Sequence, residues 1–346
     1  MATVRSIAKK LNISGTTVSR ALNNRSGISP EMREKVLKAV QEEGYDRRVG
    51  LRTSRFIGFV YPAHSFRGNF GVYHSALFGG IFESLTPHNY DFALVNLVND
   101  KKSNESYRQF FERKELRGII MQAHPEDMPI VEAIAEEEFP MVLVASHPTG
   151  IRSHVNWVVC DSKQPTKQAV EYLLGMGHRR IAFVTGKWQA SDLEDRYNGY
   201  VDALSEAGIE PDPSLIFKVG PGVMNGVSVI RRLMGFPKPP TAVICTTQYV
   251  TMGAIRACSE MGVRVPDDLS IIGFDDADNR FLATPVYSSI CQEASQLGFE
   301  AGHSLVKLID GSVKAPIQIS QTAVFEVHET TAPPPSTKWV PGKRTR

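Results

Sequence analysis

The residues best equipped for chemistry gather in two places. Near the N-terminus lies the run S-G-T-T-V-S-R-A-L-N-N, residues 14–24. Wound at 3.6 residues per turn, it puts Thr16, Thr17, Ser19, Arg20 and Asn23 on one side and Val18, Ala21 and Leu22 on the other. Hydroxyls, an amide and a guanidinium on one face can donate to phosphates and to base edges. The same face would also suit a small helical bundle that meets only water. Further along, polar residues follow short apolar runs: Arg196 in D-R-Y-N-G, Asp275 and Asp276 after I-I-G-F, and Gln292 closing Y-S-S-I-C-Q. Positions beyond the carboxyl ends of strands are where open α/β sheets hold small ligands. The plainer alternatives are that Asp275 organises a turn and that Arg196 pairs with Glu194 or Asp195 at the surface. Trp188 and Phe70 offer flat faces for stacking, or simply fill a loop or core. There is no G-x-S-x-G, H-E-x-x-H, P-loop or G-x-G-x-x-G run, and Asp275, Asp276 and His178 are scattered. The expectation is that the chain is not an enzyme.

Helices must position the first group. Thr3 is placed to cap a first helix whose Ile7, Ala8 and Leu11 form an apolar stripe, and Asn12-Ile13 makes a tight connection. Ser14 then caps the helix that carries the polar face. A third helix is expected over residues 30–43: Ser29 caps it, Pro30 takes its first position, Met32, Val36 and Val40 recur every four residues, and Gly44 stops it. Three short stripes can share one small core, and the first two helices read as a helix-turn-helix.

Strands must position the second group. From Phe56 onward β-rich runs alternate with amphipathic segments: strands at 56–61, 90–96, 118–121 and then M-V-L-V, with helices at 72–85, 104–113 and 128–138 between them. The pattern resumes with strands at 155–160, 180–185, 215–219, 242–245 and 269–274. Alternation of this kind implies parallel sheets covered on both faces, and two series imply two lobes.

At 346 residues the chain is long enough for two or three domains. It has no run of 18 apolar residues and no secretory apolar region, so neither a membrane span nor export is expected. Cys160, Cys245, Cys258 and Cys291 are widely spaced without C-x-x-C and read as buried thiols in a reducing cytoplasm, with no zinc. Charge is unevenly spread. Residues 1–55 hold 12 Lys and Arg against 5 Asp and Glu, residues 332–346 add 4 basic residues, and the stretch between carries an excess of 9 acidic ones. A basic head on an acidic body is the footprint of a nucleic-acid binder whose remaining surface avoids phosphate.

T-V-S-R-A-L-N, behind T-V-R-S-I-A-K-K-L and ahead of S-P-E-M-R-E-K-V, resembles the DNA-binding head of the lac repressor (LacI/GalR) family. V-N-W-V-V-C and Y-S-S-I-C-Q resemble the crossovers of the periplasmic-binding-protein fold of that family's body, so the resemblance covers residues 1 to about 332. It implies an all-α helix-turn-helix head at 1–46, a hinge or linker at 47–56, and a two-lobed α/β effector-binding and dimerisation body with parallel sheets at 57–331. Lobe 1 would hold about 57–157 plus 292–318 and lobe 2 about 158–291 plus 319–331, with a disordered basic tail at 332–346. By the same resemblance Gly15, Thr16 and Arg20 face base edges, and Thr3, Ser14, Thr17, Asn23 and Ser29 contact phosphates. Gly15 has no side chain to read with, so base reading shifts to Arg20, with two donors for guanine, and to Thr16, with a methyl for thymine. Leu51 is the candidate minor-groove wedge, although the Pro-Asn pair usual in this hinge is missing and Gly50 weakens a helix. The implied effector cleft is lined by Tyr73, His74, Trp188, Arg196, Thr247, Asp275 and Gln292. Thr247-Gln248 stands where sugar-responsive relatives often have Asn-Asp, Ala145-Ser146-His147 replaces a common aspartate, and His328 replaces an arginine.

The resemblance therefore implies a cytoplasmic transcriptional regulator, most readily a repressor. Its partners would be an operator in double-stranded DNA, a small effector such as a sugar or sugar derivative, and a second copy of the chain; no cofactor is expected. A stand-alone sugar-binding protein is the alternative, against which the basic N-terminal helices weigh.

Overall fold

The computed structural model describes residues 4–22, 27–42, 56–61, 71–146, 154–187, 191–275, 278–314, 316–336 and 339. The chain divides into two compact units, Met1–Arg55 and Phe56–Arg346.

In the first unit, α1 (Val4–Lys10), α2 (Gly15–Leu22) and α3 (Pro30–Glu42) surround a core of Ile7, Ala8, Val18, Ala21, Leu22, Val36 and Ala39. Asn12 takes the left-handed backbone conformation, φ 55°, that lets the chain turn between α1 and α2. Ser14 accepts from the Thr17 amide at 3.0 Å and Ser29 from the Met32 amide at 3.2 Å, each satisfying one of the orphan donors at a helix start.

The second unit is built on two six-stranded sheets. The first contains β1 (Phe56–Tyr61), β2 (Asp91–Asn96), β3 (Leu116–Met121), β4 (Met141–Val144) and β5 (Asn156–Asp161). The second contains β6 (Ile181–Gly186), β7 (Ile216–Val219), β8 (Ala242–Cys245), β9 (Ser270–Asp275) and β10 (Ser288–Cys291). After β10 the chain returns: β11 (Gln318–Thr322) joins the first sheet and β12 (Val324–Glu326) the second. The orders are β11-β5-β4-β3-β1-β2 and β12-β10-β9-β8-β6-β7, with every pairing parallel except β10 with β12. Strands such as β6 and β9 are buried along their whole length, because helices cover both faces of a parallel sheet.

The helices between them are α4 (Val72–Leu85), α5 (Tyr107–Arg113), α6 (Met128–Glu136), α7 (Lys163–Gly175), α8 (Ser191–Glu206), α9 (Val223–Met234), α10 (Gln248–Met261) and α11 (Ala294–Ile309). The return helix α11 lies so close to α4 that a Cβ on Gly80 would collide with the Ser295 carbonyl, and one on Gly298 with the Leu77 carbonyl. Glycine is needed there for space, not for its backbone freedom.

Two boundaries differ from the sequence expectation. Thr322 stands opposite Asp161 in the β11–β5 ladder, so the first lobe keeps both strands to their ends and each of these crossovers falls about four residues later than expected. The segment after residue 331, expected to be disordered, is docked on the second lobe as far as it is described. Ser270 Oγ donates to the Ala332 carbonyl at 3.0 Å and accepts from its amide at 3.1 Å, and Trp339 packs against the apolar core of the second lobe. His178 lies 2.8 Å from the Ala332 carbonyl through Nε2 and 2.8 Å from Thr241 Oγ1 through Nδ1. Satisfied backbone groups and one large ring offset the entropy that composition alone says would win. Residues 337, 338 and 340–346 of that tail lie outside the described residues.

Candidate functional site

In the head, the second helix leaves Thr16, Ser19 and Arg20 exposed, with Gly15 and Thr17 half-buried beside them. The opposite side is spent on the core, as Val18, Ala21 and Leu22 are buried. Ser14 and Ser29 accept backbone amides as caps, and Ser14 Oγ also lies 2.8 Å from Thr17 Oγ1. A capping serine still has its own hydrogen to donate, so these hydroxyls can serve a phosphate without giving up the helix start. Thr3, Asn23 and Leu51 lie outside the described residues.

In the body, the carboxyl ends of the strands gather polar groups. Arg196, on α8, is 4% exposed. Its Nη1 donates to the Thr246 carbonyl just past β8 at 2.7 Å, its Nη2 to Asp192 at 2.9 Å and its Nε to Ser162 Oγ, after β5, at 3.4 Å. The guanidinium also sits 4.1 Å from the centre of the Phe274 ring. Arg196 is thus a buried anchor rather than a surface partner of Glu194 or Asp195. Next to Phe274, Asp275 ends β9, and its backbone carbonyl accepts from the Gln292 amide at 3.1 Å. Arg196 is thus tied to Thr246 and Phe274, the neighbours of Thr247 and Asp275, and Asp275 is tied to Gln292.

The Asp275 carboxylate is committed to its own loop. It accepts from the amides of Asn279 at 3.2 Å and Arg280 at 3.1 Å and from Arg280 Nη1 at 2.8 Å. The turn-organising role, the plainer alternative to binding, is thus present in the structure. Arg280 also pairs with Asp278 at 3.0 Å and with Glu326 on β12 at 2.8 Å, and His328 lies 3.2 Å from that same glutamate. Arg280 and the role of His328 escape a reading of the sequence, because a pair five residues apart fits neither helix nor strand spacing and Glu326 comes from the returning strand.

From the first lobe, Tyr73 and His74 open α4. His74 Nε2 is 3.1 Å from Gln122 Oε1, just past β3, and its ring lies among Tyr61, Tyr73 and Phe78 with centroids 5.3 to 6.1 Å away. Burial pushes the His74 imidazole below its ordinary range, only partly opposed by Gln122, so it is neutral at neutral pH. Ser146, in the stretch expected to replace a common aspartate, has a hydroxyl that accepts from the Ala123 amide at 3.1 Å and is directed at the Val144 carbonyl, 3.4 Å away. Trp188 and Phe70 lie outside the described residues, as do His147 and Asp276. All four cysteines are buried free thiols, and burial pushes Cys258 and Cys291 up to about 12. Among the described residues no three His, Cys, Asp or Glu come together as metal ligands, and no helix is long and apolar enough to cross a membrane.

Two comparisons by sequence meet this geometry from opposite ends of the chain. Residues 3–47 match the family described as bacterial regulatory proteins, lacI family, and residues 170–330 match a periplasmic binding protein-like domain. The chain thus carries a lacI-family DNA-binding domain and a periplasmic binding protein-like domain. Across nearly its full length it is 26% identical to the HTH-type transcriptional repressor PurR of Pasteurella multocida, covering 95% of the chain and 96% of the relative. It is 29% identical to the HTH-type transcriptional repressor CytR of Escherichia coli over 90% of each protein. Among solved structures, a transcriptional regulator CelR–cellobiose complex superposes with a TM-score of 0.70 at 25% identity, over 95% of this chain and 100% of that one. The chain is accordingly a transcriptional regulator and not an enzyme, with a helix-turn-helix head and a two-lobed α/β body.

Proposed function

We propose that the chain is a repressor that binds a near-palindromic operator as a homodimer and is controlled by a small, uncharged, ring-bearing metabolite held between the lobes. The observation that carries the effector half is the buried Arg196, which ties the ends of β5 and β8 to its own helix in one hydrogen-bond network. Charge favours an uncharged ligand. Arg196 is balanced by Asp192 and Asp275 by Arg280, while His74 is neutral, so the strand ends offer polar atoms with little net charge. Sugars and sugar derivatives with polar edges and apolar faces fit that description. The CelR structure, whose description names cellobiose, supports the same class.

The DNA half rests on the exposed face of Thr16, Ser19 and Arg20, the basic charge of residues 1–55 and relatives named as repressors. Pairing of two chains is supported by apolar side chains left in solvent, among them the adjacent Phe281 at 54% and Leu282 at 78% exposure. Residues 47–56 would connect head and body, with Leu51 as a minor-groove wedge, and the assembly would act in the cytoplasm.

Isothermal titration of the purified protein against neutral sugars and nucleosides, with operator binding followed in parallel, tests the proposal. Arg196→Ala should lose ligand binding by tenfold or more and lose the DNA response, while operator affinity without ligand stays near native. If a ligand that alters operator affinity binds Arg196→Ala as tightly as native protein, the cleft has been misassigned.

A further inference from the structure

Gly71 caps α4 with φ −72° and ψ −178°, backbone that any residue can adopt. What a side chain there would have to displace is a ring from the other lobe. A Cβ on Gly71 would sit 2.9 Å from Tyr249 Cε2 and 3.3 Å from the Tyr249 hydroxyl. Tyr249 stands on the first turn of α10, directly after Thr247 and Gln248, and is 38% exposed. Its ring therefore leaves the second lobe and rests on the backbone from which Tyr73 and His74 begin.

The surroundings make this contact part of the cleft. Thr247 precedes α10 without capping it, and its Oγ1 is buried with no hydrogen-bond partner among the described residues. The Thr246 carbonyl, one residue earlier, receives Arg196. One short stretch, 246–249, thus holds the anchor for Arg196, a buried hydroxyl and an aromatic ring that reaches across to the other lobe. A tyrosine costs little conformational entropy for the area it covers, and its apolar face suits the C–H face of a ring-shaped ligand.

We infer that Tyr249 is the positioning residue that holds the two lobes closed over the effector, with Gly71 as the seat that admits it. The inference rests on the cleft being the effector site. Closure itself is a property of the free protein, however, so its failure can be told apart from failure of the effector reading. A methyl at position 71 forces the ring away, and removing the ring leaves the methyl nothing to meet.

The test measures lobe spacing by electron-spin distance measurement in full-length protein without ligand. Spin labels go on cysteines introduced at the exposed residues Glu126 in the first lobe and Lys218 in the second. The buried native thiols are poorly reachable by the label, and dilution with unlabelled chain restricts the signal to pairs within one chain. Native protein and Tyr249→Phe should share one short, narrow distribution. Tyr249→Ala and Gly71→Ala should each move it to longer distances, and the Gly71→Ala/Tyr249→Ala double variant should open no further than Tyr249→Ala alone. Melting temperature serves as the folding control. An unchanged distribution in Tyr249→Ala, or shifts that simply add in the double variant, would overturn the inference.

Discussion

Arg20 is exposed on the second helix beside Thr16, while the residues that hold that helix in place are on its far side. Its guanidinium can therefore be removed without disturbing the head. Arg20→Ala should cost about 1 to 3 kcal/mol of specific binding per half-site and leave salt-sensitive binding to random DNA nearly intact. Fluorescence anisotropy on operator and scrambled duplexes measures both, and equal loss on the two would make Arg20 a phosphate contact. At this scale the sequence was informative where the chemistry is local. Asp275 and Gln292, which close or follow short apolar runs, and Arg196 in the helix after β6 can be singled out without a structure because alternating strands and helices show where strand ends fall. Tyr249 and Arg280 could not be found that way. Their significance comes from Gly71 in the other lobe and from Glu326 on the returning strand, and neither contact leaves a spacing in the chain.

The elements themselves were largely legible, since apolar runs and helical stripes report burial directly. The docked segment beyond residue 331 was not, because its proline-rich composition has no period and its partners, Ser270 and His178, lie far away in the chain. His178 gives that segment a pH signature. Burial pushes the imidazole below its ordinary value, with the Ala332 hydrogen bond opposing. In the fold Nε2–H donates to Ala332 while Nδ1 accepts from Thr241, so the neutral ring is satisfied on both sides. The unfolded chain takes up a proton near pH 6.5, the ordinary value, before the folded chain does. Stability from His178 is thus complete above that pH and falls as pH drops toward the lower folded value. His74 contributes with the same sign. Urea unfolding should show native protein more stable than His178→Gln at about pH 7.5, with the gap narrowing toward about pH 5. A gap independent of pH would mean that His178 acts only through packing.

Over the whole molecule, the proposed function couples a head that would read DNA to a body that would bind a ligand through two copies presenting their heads together. The turn carrying Phe281 and Leu282 is suited to that pairing: it is held from beneath by Arg280 on Asp275 and Glu326, yet both apolar side chains face solvent. Leu282→Asp should weaken the dimer at least tenfold, about 1.4 kcal/mol, and this would appear in sedimentation velocity as a shift toward single chains. Unchanged sedimentation would exclude this face. The lac repressor-like organisation was legible in the head motif and the double series of strands, whereas lobe closure depends on contacts between segments remote in sequence.

Selection of binding sites from randomised duplex DNA by the full-length protein tests the central claim most directly, because the operator sequence emerges from the selection itself. Enrichment of a near-palindrome, with two half-sites at a fixed spacing and a preference that Arg20→Ala relaxes at matching positions in both halves, is the result expected. Enrichment of unpaired half-sites, or no enrichment over random sequence, would contradict it.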